Sequence, residues 1–143
     1  MRLLVGVYAR VLDERGRLCI PARLLAALGD RALYIAVAAH PALALYPEDA
    51  VPDSLELIQA PDQSGTQPGT APFSAGSAVA APLDGRGRIT IPAYLCQHAG
   101  LTRQVVLLGA GRHMELWDAQ RYELARERVA MAANDADSRT PNA

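Results

Sequence analysis

The alternation of apolar and polar positions predicts the same series of elements twice: strand, strand, short helix, strand, strand. In the first half the predicted strands are residues 7–12, 17–20, 33–37 and 43–46, with a helix at 22–28. In the second half they are residues 79–83, 88–91, 105–108 and 114–117, with a helix at 92–99. Each helix prediction rests on a proline that suits the first turn and a glycine, Gly29 or Gly100, that suits the end.

The two halves are copies of one sequence unit. Residues 12–22 (LDERGRLCIPA) return as residues 83–93 (LDGRGRITIPA), 71 positions later. At the same separation Leu24 matches Leu95 and Leu45 matches Leu116. One unit of about fifty residues buries too little surface to be stable alone, so we expect the two units to bury each other's apolar faces. The predicted fold is α+β, mostly strands with short helices, formed as a pseudo-dimer within one chain.

The repeat also sets the predicted boundaries. We predict a first unit over residues 1–50, a connector over 51–75, a second unit with a C-terminal helix over 76–133 and a flexible tail over 134–143. Most of the connector is rich in Pro, Gly and Ser, which indicates a loop, whereas residues 54–59 are compatible with a helical turn. Asp118 is predicted to cap the C-terminal helix. Gly109 and Gly111 are predicted to form the hairpin turn between the last two strands.

Charge narrows the range of functions. The chain has 15 acidic and 14 basic residues, every base is an arginine, and the net charge is −1. This excludes a uniformly basic nucleic-acid coat but permits a local basic patch. Residues 1–31 hold six arginines and three acids, whereas residues 32–81 hold five acids and no arginine. Positive charge is therefore concentrated near the N-terminus.

The sequence offers no support for catalysis or for a metal site. His40, His98 and His113 lack the spacing of metal ligands, and no serine lies in a nucleophile-elbow motif. We therefore predict a protein that is not an enzyme, with no catalytic residues, metal, cofactor or small-molecule substrate. Cys19 and Cys96 are too few for a disulfide framework, and each is expected to be a small buried hydrophobe.

The sequence also shows no membrane-targeting feature. The longest apolar stretch is too short to span a bilayer, and residues 1–10 lack the pattern of a signal peptide. We expect a cytoplasmic protein without a membrane partner.

Several motifs resemble those of the MraZ family of bacterial transcriptional regulators, which have tandem AbrB-like (SpoVT-AbrB domain) swapped-hairpin units. The matching motifs are Gly6-Val7-Tyr8, Leu12-Asp13-x-x-Gly16-Arg17, Leu45-Tyr46-Pro47, Phe73-x-x-Gly76, Leu83-Asp84-Gly85-x-Gly87-Arg88, His98-Ala99-Gly100-Leu101-Thr102-Arg103 and Glu115-Leu116-Trp117-Asp118. The resemblance implies a repressor of the division and cell-wall gene cluster, including its own promoter. It also implies a ring-like homo-oligomer, associated with the nucleoid, that binds G-rich direct repeats in double-stranded promoter DNA.

The family's D-x-x-x-R motif falls twice in this chain, on Asp13 with Arg17 and on Asp84 with Arg88. The predicted DNA-binding residues are the arginines of the two repeated turns, supplemented by two more in the first unit: Arg15, Arg17, Arg86, Arg88, Arg10 and Arg23. An arginine can pair bidentately with guanine O6 and N7 or bind phosphate. The predicted structural partners of these turns are Asp13, Asp84, Gly16 and Gly87.

Other interpretations of the same features stay open. The Asp–Arg pairs are also explained as ion pairs that pin each turn, and the two roles are compatible. A protein-interaction or assembly module of the same fold, with weakened DNA binding, would explain the acidic middle segment. A fused antitoxin whose tail wraps a toxin fits less well, because the tail is short.

Overall fold

A computed structural model describes residues 3–38, 41–59 and 76–139. The first repeat forms β1 (Leu4–Val11), β2 (Arg17–Cys19), α1 (Ala22–Leu28), β3 (Leu33–Val37), β4 (Leu43–Pro47) and a 3-10 helix (Glu48–Ala50). Strand β5 (Glu56–Ile58) follows. The second repeat forms β6 (Ser77–Ala80), β7 (Arg88–Thr90), α2 (Ala93–Ala99), β8 (Gln104–Gly111), β9 (Met114–Asp118) and α3 (Ala119–Arg139). The predicted α+β class is confirmed.

The two repeats exchange strands. Strand β1 of the first repeat pairs antiparallel with β8 of the second, from Leu4 opposite Gly111 to Val11 opposite Gln104. In the equivalent exchange, β6 of the second repeat pairs with β3 of the first. The main sheet has the order β1-β8-β9-β4-β3-β6-β5. Strands β4 and β9 meet at its centre, where Ala44 lies opposite Glu115, its equivalent in the other repeat. The predicted intrachain pseudo-dimer is confirmed.

A small second sheet joins the repeats again. Strands β2 and β7 pair antiparallel, with Leu18 opposite Ile89. Both side chains are fully buried and belong to one apolar cluster that also includes leucines of both short helices, Leu24, Leu28 and Leu95. Because residues of both repeats fill this cluster, neither repeat has a core of its own.

The segment after β4 differs from the prediction. Residues 56–58 are not helical; they form β5, which pairs parallel with β6. The backbone N–H of Glu56 donates to the carbonyl of Gly76 at 2.7 Å, so pairing along the edge of β6 decides the local structure. Residues 60–75 of the predicted connector lie outside the described residues.

Helix α3 also differs from the prediction, because it continues to Arg139 instead of ending near Ala133. The first part of the predicted flexible tail, residues 134–139, is therefore helical, and residues 140–143 lie outside the described residues. Asp118 caps the helix as predicted, accepting from the N–H of Arg121 at 3.4 Å. Its other carboxylate oxygen accepts from the N–H and hydroxyl of Thr102, at 3.1 and 2.7 Å.

Gly109 lies inside β8 and not in the hairpin turn. It is opposite Gly6, and a Cβ at Gly109 would lie 2.4 Å from the carbonyl of Leu4. The need for glycine here comes from the close approach of β1. Gly111, with φ of 96°, does lead into the turn before β9.

Candidate nucleic-acid interface

The ribbon formed by β2 and β7 has one buried face and one outer face. Leu18 and Ile89 point into the core, and successive residues of a strand alternate between faces. The outer face therefore carries two residues from each strand: Arg17, Cys19, Arg88 and Thr90. In the register, Arg17 lies opposite Thr90 and Cys19 lies opposite Arg88. The structure thus brings one arginine from each repeat onto one surface.

Each of these arginines follows a turn held by an aspartate. In the first turn, residues 13–16, Asp13 Oδ1 accepts the N–H groups of Arg15 and Arg17, both at 2.9 Å. Oδ2 of the same carboxylate accepts from Nε of the Arg17 guanidinium. A single carboxylate, that of Asp13, thus holds both the turn and the Arg17 side chain that follows it.

The second turn, residues 84–87, repeats this geometry. Asp84 Oδ1 accepts the N–H groups of Arg86 and Arg88 at 2.8 and 2.9 Å, and Oδ2 accepts from Arg88 Nε at 2.8 Å. The side chains of Arg17 and Arg88 remain 31% and 24% exposed. Each ion pair engages Nε, so it does not use the terminal amino groups of the guanidinium. An arginine in this position can therefore be held by its aspartate and still offer a donor fork outward.

The turns keep their aspartates charged. The pKa of the Asp13 carboxyl is held below its usual range, mainly by the hydrogen bond that it accepts from the backbone N–H of Arg17. The Arg17 side chain and the N–H of Arg15 lower this pKa further. The pKa of Asp84 is lowered in the same way, mainly by the hydrogen bond from the backbone N–H of Arg88 and also by that from the N–H of Arg86. Both carboxylates are therefore ionised at neutral pH, when each can position its arginine.

Hydrogen bonds between the repeats fix the two turns relative to each other. The N–H of Ile91 donates to the carbonyl of Gly16 at 2.8 Å, and the N–H of Ile20 donates to the carbonyl of Gly87 at 3.0 Å. Gly16 and Gly87 have φ of 74° and 73°, a backbone conformation that favours glycine. Because each turn is bonded to the far end of the opposite strand, the turns lie at the two ends of the ribbon.

The other four predicted DNA-binding residues occupy different places. Arg15 and Arg86 are exposed in the two turns. Arg23 is exposed on α1, directly after the ribbon. Arg10 lies on β1, where its guanidinium donates to the carbonyl of Ala9 at 2.9 Å and lies 5.9 Å from the centre of the Tyr8 ring. The guanidinium thus contacts residues of its own strand.

Two features of this surface differ from, or add to, the sequence prediction. Cys19 is exposed and not buried, because it shares the outer face with the arginines, and Cys96 is half-buried. Arg103 was not predicted to lie here. Its carbonyl accepts from the N–H of Leu12 at 2.8 Å, and its side chain lines an open cleft with Arg15 and Gly16. Only the exchange of β1 places it beside the first turn, so the position of Arg103 in the sequence gives no signal.

Comparison with known proteins finds a family match in two ranges, one for each repeat. The model of the family described as "MraZ protein, putative antitoxin-like" matches residues 3–61 and 75–141. The chain belongs to the MraZ family. Proteins named transcriptional regulator MraZ share 36% identity in Paraburkholderia xenovorans, over 93% of this chain and 94% of the relative, and 32% in Heliobacterium modesticaldum, over 90% of each. The MraZ of Limosilactobacillus fermentum is 32% identical over 94% of this chain and 92% of its own length.

Within residues 3–38, 41–59 and 76–139, no group of three or more His, Cys, Asp or Glu side chains is arranged to hold a metal ion. In the same part of this MraZ-family chain, no helix is both long enough and apolar enough to cross a bilayer.

Proposed function

We propose that this chain is a sequence-specific DNA-binding transcriptional regulator that uses the outer face of the β2–β7 ribbon. The observation that carries the proposal is the placement of Arg17 and Arg88, one from each repeat, on that face, each held by an aspartate. The relatives bear the name transcriptional regulator, which supports the same function. In keeping with the family resemblance, we propose a repressor of the division and cell-wall cluster that also acts on its own promoter.

The ribbon suits the major groove of DNA. A two-stranded β-ribbon fits that groove, and an arginine there can pair bidentately with guanine O6 and N7. Arg17 and Arg88 are diagonal neighbours across the ribbon, so their Cα atoms lie about 7–8 Å apart. This is about two base steps of 3.4 Å each. We assign base contacts to these two arginines and phosphate contacts to Arg15 and Arg86, with Arg103 adding positive charge beside the first turn.

Self-association is the second part of the proposal. A few phosphate contacts give dissociation constants on the order of 10⁻⁴ to 10⁻⁶ M, whereas several linked copies on repeated sites gain about 10²–10⁴ in avidity. The first strand offers a surface for this, because its outward residues are apolar: Leu3, Val5, Val7, Ala9 and Val11. Val7 is 62% exposed. We propose that this face joins copies of the chain into a ring-like homo-oligomer on direct repeats, within the nucleoid.

One double variant tests the binding face. R17A/R88A is expected to lose binding to a duplex carrying the DNA immediately upstream of this protein's operon, because both proposed base contacts are removed. Each lost bidentate pair corresponds to about 1–3 kcal/mol. Binding is measured by gel shift and fluorescence anisotropy, and the melting temperature checks that the fold is intact.

The matched control is R126A/R128A, which removes the same charge from two exposed positions on α3. It is expected to bind nearly as well as the wild type. Wild-type affinity is also expected to fall steeply with added salt, as phosphate contacts require.

The alternative function is a protein-interaction or assembly module, and the exposed apolar face of β1 is the observation that favours it. Unchanged gel shifts in R17A/R88A, together with a flat response to salt, would favour this alternative and refute the DNA-binding proposal.

A further inference from the structure

The two turns of the ribbon have the same backbone geometry but different chemistry. In both, the aspartate accepts the same pair of backbone N–H groups, at 2.8 to 2.9 Å. Yet Glu14 of the first turn corresponds to Gly85 of the second, and Cys19 on the ribbon corresponds to Thr90. All four residues are exposed. The arginines of the binding face are therefore arranged almost symmetrically, whereas the residues next to them differ between the two repeats.

Glu14 changes the charge of one turn only. Both turns carry an aspartate engaged with the following arginine, but only the first carries a second carboxylate, next to Arg15. A carboxylate near a DNA phosphate is repelled, whereas at a base edge it can accept a hydrogen bond from the amino group of cytosine. The second turn is thus the better phosphate-binding turn.

We propose that Glu14 gives the binding face a direction on DNA. Arg86 of the second turn contacts the phosphate backbone more closely than Arg15 of the first turn does, and Glu14 directs the first turn toward base edges that present an amino donor, such as cytosine N4. This inference rests on the proposed DNA-binding function and adds the residue that sets orientation.

The orientation of the binding face on DNA determines which arrangement of operator sites it fits. A face with full two-fold symmetry binds its site equally well in both orientations and matches a palindrome, because the symmetry of the site mirrors that of the protein. A directed face binds in one orientation, so consecutive copies of the chain in the same orientation match direct repeats. The asymmetry at Glu14 and Gly85 is thus suited to the class of site proposed above.

The chain allows Glu14 and Gly85 to be exchanged without strain. A Cβ at Gly85 would meet no atom within 4 Å, and Gly85 is not among the glycines with positive φ. Among the described residues no residue other than glycine has positive φ, so Glu14 also has an ordinary backbone conformation. The variants E14G, G85E and E14G/G85E therefore form a matched set, and the double variant keeps the wild-type net charge.

The experiment measures the affinity of this set for the upstream duplex, for a scrambled duplex, and for upstream duplexes with one base pair substituted at a time. On scrambled DNA, E14G is expected to bind about two- to fivefold more tightly and G85E more weakly by a similar factor, the effect of one unit charge near a phosphate in water. E14G/G85E is expected to match wild-type affinity on scrambled DNA. On the upstream duplex, E14G is expected to lose its sensitivity to substitution of the base pair that Glu14 contacts. E14G/G85E is expected to regain that sensitivity, because the exchanged carboxylate reaches the same base when the molecule is turned end for end.

The outcomes separate this inference from the proposed function. If E14G keeps the wild-type base-substitution profile while R17A/R88A loses binding, Glu14 contacts no base and does not set orientation, but the binding face stands. If R17A/R88A binds like the wild type, both the proposed function and this inference are overturned.

Discussion

At Gly109 the glycine is required by a neighbouring strand and not by a turn. A Cβ there would lie 2.4 Å from Leu4 and 2.5 Å from the nitrogen of Val5, both backbone atoms that cannot move aside alone. We expect G109A to lower the free energy of unfolding by about 1–3 kcal/mol, the usual range for overpacking. Urea unfolding measures this. The control is G85A, whose Cβ meets open space, and equal midpoints for G109A and G85A would contradict the explanation.

Asp118 links the end of β9, the start of α3 and the segment after α2. Burial alone would raise its pKa, but the hydrogen bonds from the hydroxyl and N–H of Thr102, and from the N–H groups that begin α3, outweigh burial and hold the pKa below its ordinary value of 3.8. A carboxyl whose pKa is depressed on folding stabilises the protein above its ordinary pKa. That contribution is lost as the pH falls through the folded-state value.

The corresponding prediction concerns D118N. At pH 7 it is expected to be less stable than the wild type, and the difference in the free energy of unfolding is expected to narrow as the pH falls below 3.8. Urea unfolding at a series of pH values measures the difference. D53N, at an exposed position, is the control and is expected to follow the wild type. A difference for D118N that stays constant from pH 7 to pH 3 would show that the charge of Asp118 is not the cause.

Among the elements, β1 combines an apolar outward face with a position at the edge of the sheet. It pairs with β8 on one side, and within the described residues no strand covers its other side. The equivalent edge, that of β6, is covered by β5. An edge strand with an exposed apolar face tends to associate with another chain. The two ends of the sheet are therefore protected unequally.

Val7→Lys tests the role of β1 in self-association. We expect V7K to reduce the mass of the oligomer without unfolding the chain, because Val7 is exposed and a lysine on an edge strand opposes association. Sedimentation velocity measures the mass. Q120K adds the same charge at an exposed position on α3 and is expected to leave the mass unchanged. A full-size oligomer in V7K would show that the interface lies elsewhere.

The elements also show what sequence patterns can and cannot predict. Leu33–Val37 and the helix Ala22–Leu28 were predicted with the bounds observed, because their apolar spacing, Pro21 and Gly29 act locally. β5 was missed because its three residues become a strand only by pairing with β6, from another part of the chain. The position of Arg103 was missed for a related reason, since it depends on the partner that β1 takes. The resemblance to the family implied exchanged hairpins, but the repeat alone did not specify which strands pair.

For the whole molecule, interlocking means that the halves unfold together. Leu18 of the first repeat packs in the same cluster as Ile89 and Leu107 of the second. We expect L18A to destabilise the protein by about 2–5 kcal/mol, the range for a buried leucine. Trp117, the one tryptophan of the chain, lies in the second repeat and reports its unfolding.

The L18A transition is expected to shift equally in Trp117 fluorescence and in far-UV circular dichroism, with one midpoint, as all-or-none unfolding requires. C19A, on the exposed face of the same strand, is the control and is expected to shift little. Two separate midpoints in L18A would indicate that the repeats unfold independently.

Both strands of the ribbon belong to a single polypeptide, so the binding surface forms at any protein concentration. Two separate subunits that together formed such a surface would come apart on dilution, because their stability depends on protomer concentration. Here the partner of each hairpin is covalently attached and always present in equal amount. A single molecule therefore assembles the paired arginines by itself, even at very low copy number.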